Sequence, residues 1–214
     1  MPLGASAPET IQAVVEIGWL VLVATVLWLA RTSIREDLLP RLTGATFAGI
    51  GFTFDAVDRT LGALADERGI EMAPSARRRI FSRARRHAKR LRHTQLLWVD
   101  DSPRGNVRER RLLRDFGVFV DLAKSNDEAM ERFLETPYDV VISNINRGAG
   151  ESGLVLPARL ARADPQHPPV IFYVTNLKEG TPEGSVGITN RPDTLMDLIL
   201  DCVEKLEVSE SAKG

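Results

Sequence analysis

The stretch Asn146-Arg147-Gly148-Ala149-Gly150-Glu151-Ser152-Gly153 has a composition that could do chemistry. Successive backbone N–H groups in a glycine-rich loop can cradle a phosphate or nucleotide, with Arg147 and the more distant Arg191 as counter-charges. The stretch matches neither a Walker A nor a GxGxxG motif, so the plainer reading, a flexible loop between strand and helix, stands beside it. Other chemistry is narrowly bounded. A single cysteine, Cys202, excludes a disulfide framework and a multi-cysteine metal site, and His87, His93 and His167 show no HExxH or HxH pairing for zinc. Cys202 falls beside Leu198 and Val203 and reads as a core thiol, while His167 reads as a loop residue on the surface. No nucleophile with an adjacent base is visible, and the chain is read as non-enzymatic.

Charge is distributed unevenly. Residues 1–93 hold 14 Lys/Arg against 9 Asp/Glu, and residues 94–214 hold 14 against 20, so a chain with a formal charge of −1 is basic in its first half and acidic in its second. Most of the excess lies in residues 72–93, where Arg77, Arg78, Arg79, Arg83, Arg85, Arg86, Lys89, Arg90 and Arg92 occur with no acid among them. Ile80, Ala84, Ala88 and Leu91 fall on one stripe, which predicts a basic amphipathic helix with Ser75 as N-cap. Three uses compete: a helix lying on anionic lipid, a nucleic-acid contact, and a connector whose apolar stripe docks on the next domain. Phe81 is the lone aromatic in the run, so a base-stacking platform is missing and nucleic acid is not the expected partner.

Upstream, residues 11–30 (IQAVVEIGWLVLVATVLWLA) are interrupted only by Gln12, Glu16 and Thr25. At 1.5 Å per residue they span about 30 Å, the thickness of a bilayer core. This reads as one transmembrane helix behind a short extracytoplasmic N-terminus, residues 1–10. Arg31, Arg35 and Arg41 follow the helix and no Lys or Arg precedes it, which places the remainder in the cytoplasm, at an inner membrane. Residues 31–71 form a juxtamembrane element: residues 46–54 alternate around glycines as a short extended piece, and Val57, Leu61, Leu64 and Ala65 recur at helical spacing until Gly69.

After Thr94 short apolar runs alternate with amphipathic helical patterns. Strands are expected at 95–99, 118–122, 140–143, 170–174 and 187–189, with helices at 106–116, 126–134, 153–163 and 193–206. That alternation predicts an α/β domain over 94–207, a five-stranded parallel sheet covered on both faces, followed by a disordered tail at 208–214. Ligand chemistry in such sheets gathers at the carboxyl ends of the strands.

The first strand ends in Val99-Asp100-Asp101-Ser102-Pro103, and here residues 95–206 resemble a response-regulator receiver (CheY-like) domain, the flavodoxin-like phosphoacceptor module of two-component signalling. The resemblance implies that Asp100 and Asp101 form the acidic pocket, with Asp101 the direct Mg²⁺ ligand if a weak site survives, and that Thr175 is the switch hydroxyl. It also implies two departures. Tyr138-Asp139-Val140-Val141-Ile142-Ser143-Asn144 puts Asn144 where the family has its phosphoacceptor aspartate, and a carboxamide is no nucleophile toward a phosphoryl donor. Arg191, before Pro192, takes the family's lysine position with a planar fork in place of a point charge. Gly180, Pro182 and Gly184 fall where the fourth helix would form and predict a loop.

These readings combine into a membrane-anchored, non-phosphorylatable receiver-like module for signalling or protein interaction. Its expected partners are the membrane, anionic lipid, and a protein or a second copy of the chain, and no cofactor beyond a weakly held Mg²⁺ is expected. Arg outnumbers Lys 23 to 5, as a GC-rich bacterial genome would give. The competing function is a nucleotide- or small-ligand-sensing membrane effector, of the kind used in bacterial defence, that oligomerises through its transmembrane helix.

Overall fold

The structure, a computed structural model, describes residues 54–148, 152–177 and 180–212. The chain divides into Met1–Gly49 and Ile50–Gly214, and every described residue belongs to the second unit. The expected transmembrane helix at 11–30 lies outside the described residues, as does the extended piece expected at 46–54 apart from Phe54, which opens a helix instead. Among those described, no helix is long and apolar enough to cross a membrane.

Three helices come first: α1 (Phe54–Glu67), α2 (Pro74–Arg86) and α3 (Ala88–Leu91). The α/β series follows as β1 (Gln95–Val99), α4 (Val107–Asp115), β2 (Phe119–Ala123), α5 (Asn126–Glu135), β3 (Val140–Ser143), α6 (Leu156–Ala163), β4 (Val170–Tyr173), β5 (Gly187–Thr189) and α7 (Pro192–Ser211). The strands form one parallel sheet in the order β2-β1-β3-β4-β5. β3 and β4 are buried throughout, as continuous apolar runs with covers on both faces must be. No helix forms among the described residues between β4 and β5, where a loop was expected.

Local chemistry sets the boundaries. Ser125 caps α5 by accepting from the Glu128 N–H (3.1 Å), and Glu128 reaches back to the Lys124 N–H (2.7 Å), close to a capping box. Gly117 ends α4 at φ +92°, and a Cβ there would meet Arg92 Cγ at 2.8 Å, so both backbone and packing require glycine. Ser75 is not the N-cap of α2. Pro74 takes the first helical position, where its fixed φ and missing N–H cost nothing, and Ala73 is the cap residue. The single helix expected over 72–93 is interrupted at His87 (φ −98°, ψ 18°). The tail also departs from expectation, since α7 runs on to Ser211 and only the last residues of 208–214 fall beyond it.

Residues 54–93 are not set apart from the sheet. Val57, Leu61 and Leu64 of α1, Ile80 and Ala84 of α2 and Leu91 of α3 share one apolar cluster with Leu96 and Trp98 of β1, Leu112 of α4, and Met196 and Ile199 of α7. The opposite face closes through Leu97, Val141 and Phe172 against Ala129 of α5 and Leu160 of α6. Of the three uses of the basic helix, its apolar stripe therefore performs the third: it docks.

Charge completes the docking. On α7, Asp197, Asp201, Glu204 and Glu207 recur at spacings of four, three and three, which makes one acidic face. Arg79 bonds Asp197 (2.6 Å). Arg83 reaches Asp197 (3.0 Å), Asp201 (2.5 Å) and Glu204 (3.0 Å), and His87 lies between Glu204 (3.1 Å) and Glu207 (2.6 Å). At the other end of the strands, Arg90 bonds Asp139 (2.7 Å). The hydrogen bond from Arg83 holds the Glu204 carboxyl below its ordinary range. A carboxylate with a depressed folded-state pKa stabilises the fold above its unfolded value and loses that contribution as pH falls through the folded one. Arg83→Gln is expected to cost about 1–2 kcal/mol at neutral pH, as loss of the centre of a half-exposed network does. In urea titrations this deficit should shrink as pH falls below about 4, where the acids lose their charge in both chains.

Candidate functional site

The parallel register brings the predicted residues to one edge. Val99 pairs with Ser143, Ser143 with Phe172, and Tyr173 with Thr189. The ladder continues past the strands through Asp100 N–H to Ala123 O (2.9 Å), Asn144 N–H to Val99 O (3.0 Å) and Val174 N–H to Thr189 O (3.0 Å). Asp100, Asn144 and Thr175 thus follow β1, β3 and β4 at the carboxyl end of the sheet, where this topology binds ligands.

Asp100 is committed to its own loop. One carboxylate oxygen accepts the Ser102 N–H (2.8 Å) and the other accepts Asn106 Nδ2 (2.9 Å), while Asn106 Oδ1 accepts from Arg110 Nε (2.7 Å). Arg110 also holds the Pro103 carbonyl, so an Arg–Asn–Asp chain, buried at Arg110 and Asn106 and half-buried at Asp100, fixes the turn after β1. Asp101 is exposed. Its Oδ2 lies 3.1 Å from where a Cβ on Gly148 would sit, so the loop after β3 passes directly over it. The Asn144 amide donates to Asn146 O (3.0 Å), and Thr175 is exposed.

The two arginines assigned to an anion are both bonded to groups of the protein itself. Arg147, 5% exposed, donates to Asn144 O (3.1 Å), to Asn126 Oδ1 and to Ser143 Oγ, which pins the loop to β3 and to the start of α5. Gly153 permits this, because a Cβ there would lie 2.1 Å from Asn144 O. The described part of the glycine stretch is therefore tied inward; residues 149–151 lie outside the described residues. Arg191 donates to both carboxylate oxygens of Asp193 (3.1 and 3.0 Å) and to Glu71 O (3.0 Å). It thereby braces the connector between α1 and α2.

Mg²⁺ needs anionic oxygens in near-octahedral array. Asp100 has both oxygens engaged and Asn144 is neutral, which leaves Asp101 as the one uncommitted carboxylate, and among the described residues no three His, Cys, Asp or Glu groups converge.

One buried cluster escaped sequence reasoning. Glu109, 2% exposed, accepts from Arg68 Nη2 (2.9 Å) and from the Tyr173 hydroxyl (2.8 Å). The Arg68 guanidinium stands 4.6 Å from the Tyr173 ring centre, and that ring meets Trp98 edge-on at 5.9 Å. Burial, reinforced by the Glu109 charge, pushes the Tyr173 hydroxyl well above its ordinary value and keeps it a donor. The available signal was Glu109 in register with Leu112, Leu113 and Phe116, an acid on the apolar stripe of α4.

No protein family matches the chain, and no curated protein does. Among solved structures it is similar to a two-component response regulator from Clostridium difficile (17% identity, 53% of this chain and 98% of that one, TM-score 0.45). It is also similar to the response regulator TrrA from Thermotoga maritima, solved with Mg²⁺ and BeF (20%, 51% and 98%, 0.45). A third similarity is to the chemotaxis response regulator CheY4 of Vibrio cholerae (23%, 51% and 98%, 0.44). The strand order β2-β1-β3-β4-β5, with helices on both faces, defines the class from this chain alone: a flavodoxin-like, receiver-like α/β domain.

Arg68→Met strands the Glu109 carboxylate in the core and should cost about 3 kcal/mol in denaturant unfolding. The double variant Arg68→Met, Glu109→Gln should recover most of that loss, because the buried charge leaves together with its partner.

Proposed function

We propose that the chain is a membrane-anchored signalling or protein-interaction module whose receiver-like domain works by binding and not by phosphoryl transfer. The observation that carries this reading is Asn144 at the carboxyl end of β3, its amide donating to Asn146 O beside an Asp100 that is already satisfied. Forming an acyl phosphate needs a carboxylate oxygen as nucleophile, and Asn144 has none to offer. Asp139 lies five residues upstream at the other end of the strand, paired with Arg90 and with the Gln95 N–H. It is a brace and not a substitute.

Recruitment of a protein, or self-association, at the inner membrane is the output this reading assigns, with residues 11–30 as anchor and the receiver-like domain in the cytoplasm. The nucleotide-sensing alternative needed Arg147 and Arg191 as free counter-charges, and their engagement with Asn126, Ser143, Asp193 and Glu71 weighs against it.

Incubation with acetyl phosphate and Mg²⁺ should leave the intact mass unchanged, and a stoichiometric phosphoryl adduct on residues 139–147 would overturn the proposal. Orientation is checked separately in cells: Ser6→Cys should react with an impermeant thiol reagent from outside, and Cys202 should not. Burial pushes the Cys202 thiol up to about 11, so an inert Cys202 is informative only beside labelled Ser6→Cys.

A further inference from the structure

The basic helix divides its charges between two jobs. Arg77, Arg79, Arg83 and Arg90 are spent on Asp58, Asp197, Asp201, Glu204 and Asp139. Arg78, Arg85, Arg86, Lys89 and Arg92 are exposed and make no ion pair among the described residues. Arg78, Ser82, Arg85, Lys89 and Arg92 recur at spacings of four, three, four and three, which is one ridge of a helix, with Arg86 at its flank. His87 does not break the ridge's register, because His87 N–H still bonds Arg83 O (3.1 Å) and Leu91 N–H bonds His87 O (2.9 Å). Arg92 is steadied by its stem, which lies against Gly117. Behind the ridge, Ile80, Ala84 and Leu91 are 0–1% exposed, so the helix is fixed to the domain and presents its charges on a rigid backing.

We infer that this outward ridge is a docking surface for the headgroups of an anionic lipid bilayer. The charges make no ion pair among the described residues, though Arg86 stands close enough to Glu204 to help lower its carboxyl, and they lie in a row some 20 Å long, as 1.5 Å per residue gives. No side chain with an aromatic face stands on the ridge, and Phe81, the aromatic nearest to it in sequence, packs against the core cluster. A row of point charges without stacking platforms suits a charged plane better than single-stranded nucleic acid. The inference rests on the membrane-anchored reading only for the proximity of the bilayer. It deepens that reading by naming which face of the receiver-like domain meets lipid.

The test uses the full chain carrying Ser82→Cys at the middle of the ridge. Vesicles are made of phosphatidylcholine alone or mixed in equal parts with phosphatidylglycerol. The rate of labelling by a water-soluble maleimide should fall by about fivefold on the mixed vesicles relative to the neutral ones, and the difference should vanish at high salt. Adding Arg78→Gln, Arg85→Gln, Arg86→Gln, Lys89→Gln and Arg92→Gln should equalise the two rates with the urea midpoint unchanged. The matching Arg→Lys set should preserve the protection, since charge and not fork geometry is used. Equal rates on both vesicles would overturn the inference, as would slowing by an oligonucleotide on neutral vesicles with none by phosphatidylglycerol. Flotation separates this from the anchor. A chain that floats with neutral vesicles but shows equal rates refutes the ridge alone. One that floats only with the mixed vesicles refutes the anchor and supports the ridge, and one that floats with neither refutes both.

Discussion

A single guanidinium, Arg83, joins a basic first half of the chain to an acidic second half. It faces Asp197, Asp201 and Glu204 at 2.5–3.0 Å while itself only 13% exposed. Burial opposes its charge, and the hydrogen bonds to Glu204 and Asp201 override that opposition, so it titrates above its ordinary value. Around this hub the apolar stripe of α2 can approach α7 closely, because each carboxylate that would otherwise be desolvated alone has a partner.

The consequence is a receiver-like sheet with an additional cover. α4 and α7 pack on one face of the sheet, α5 and α6 on the other, and α1 and α2 extend the first face through the cluster containing Leu61, Leu64 and Ile80. Two polar ties lock this cover at the carboxyl end of the strands: Arg68 with Glu109 and Tyr173, and Arg191 with the Glu71 carbonyl. Both reach residues next to the strand ends, so the site and the added helices are mechanically continuous.

At the carboxyl end of the sheet, internal polar chains fix the turns that follow β1 and β3. The turn after β1 is held by an Arg110–Asn106–Asp100 chain, and the loop after β3 by Arg147 on Ser143 and Asn126. Asp100, Asn144 and Arg147 are thus engaged within the protein, while Asp101 stays exposed.

The alternation of strands and helices, the placement of Asp100, Asn144 and Thr175 beyond the carboxyl ends of β1, β3 and β4, and the absence of a helix among the described residues between β4 and β5 were legible in the sequence. Periodicity and strand-end position are local properties, and a parallel sheet leaves one edge for its chemistry. The roles of Arg147 and Arg191 were not legible, because a guanidinium reads as a free cation until its acceptors are known, and those lie in Asn126, Ser143 and the Glu71 carbonyl. The same holds for the nine basic residues of 72–93: their sequence shows the charge, but only the approach of α7 and of Asp58 and Asp139 decides which four are neutralised and which five face outward. Glu109 sat in plain view on an apolar stripe, yet its meaning depended on Arg68, forty-one residues away. Local pattern determined the elements and their order, and the pairing of charges distant in sequence, which costs too much to leave unmade in a core, was decided by the tertiary structure.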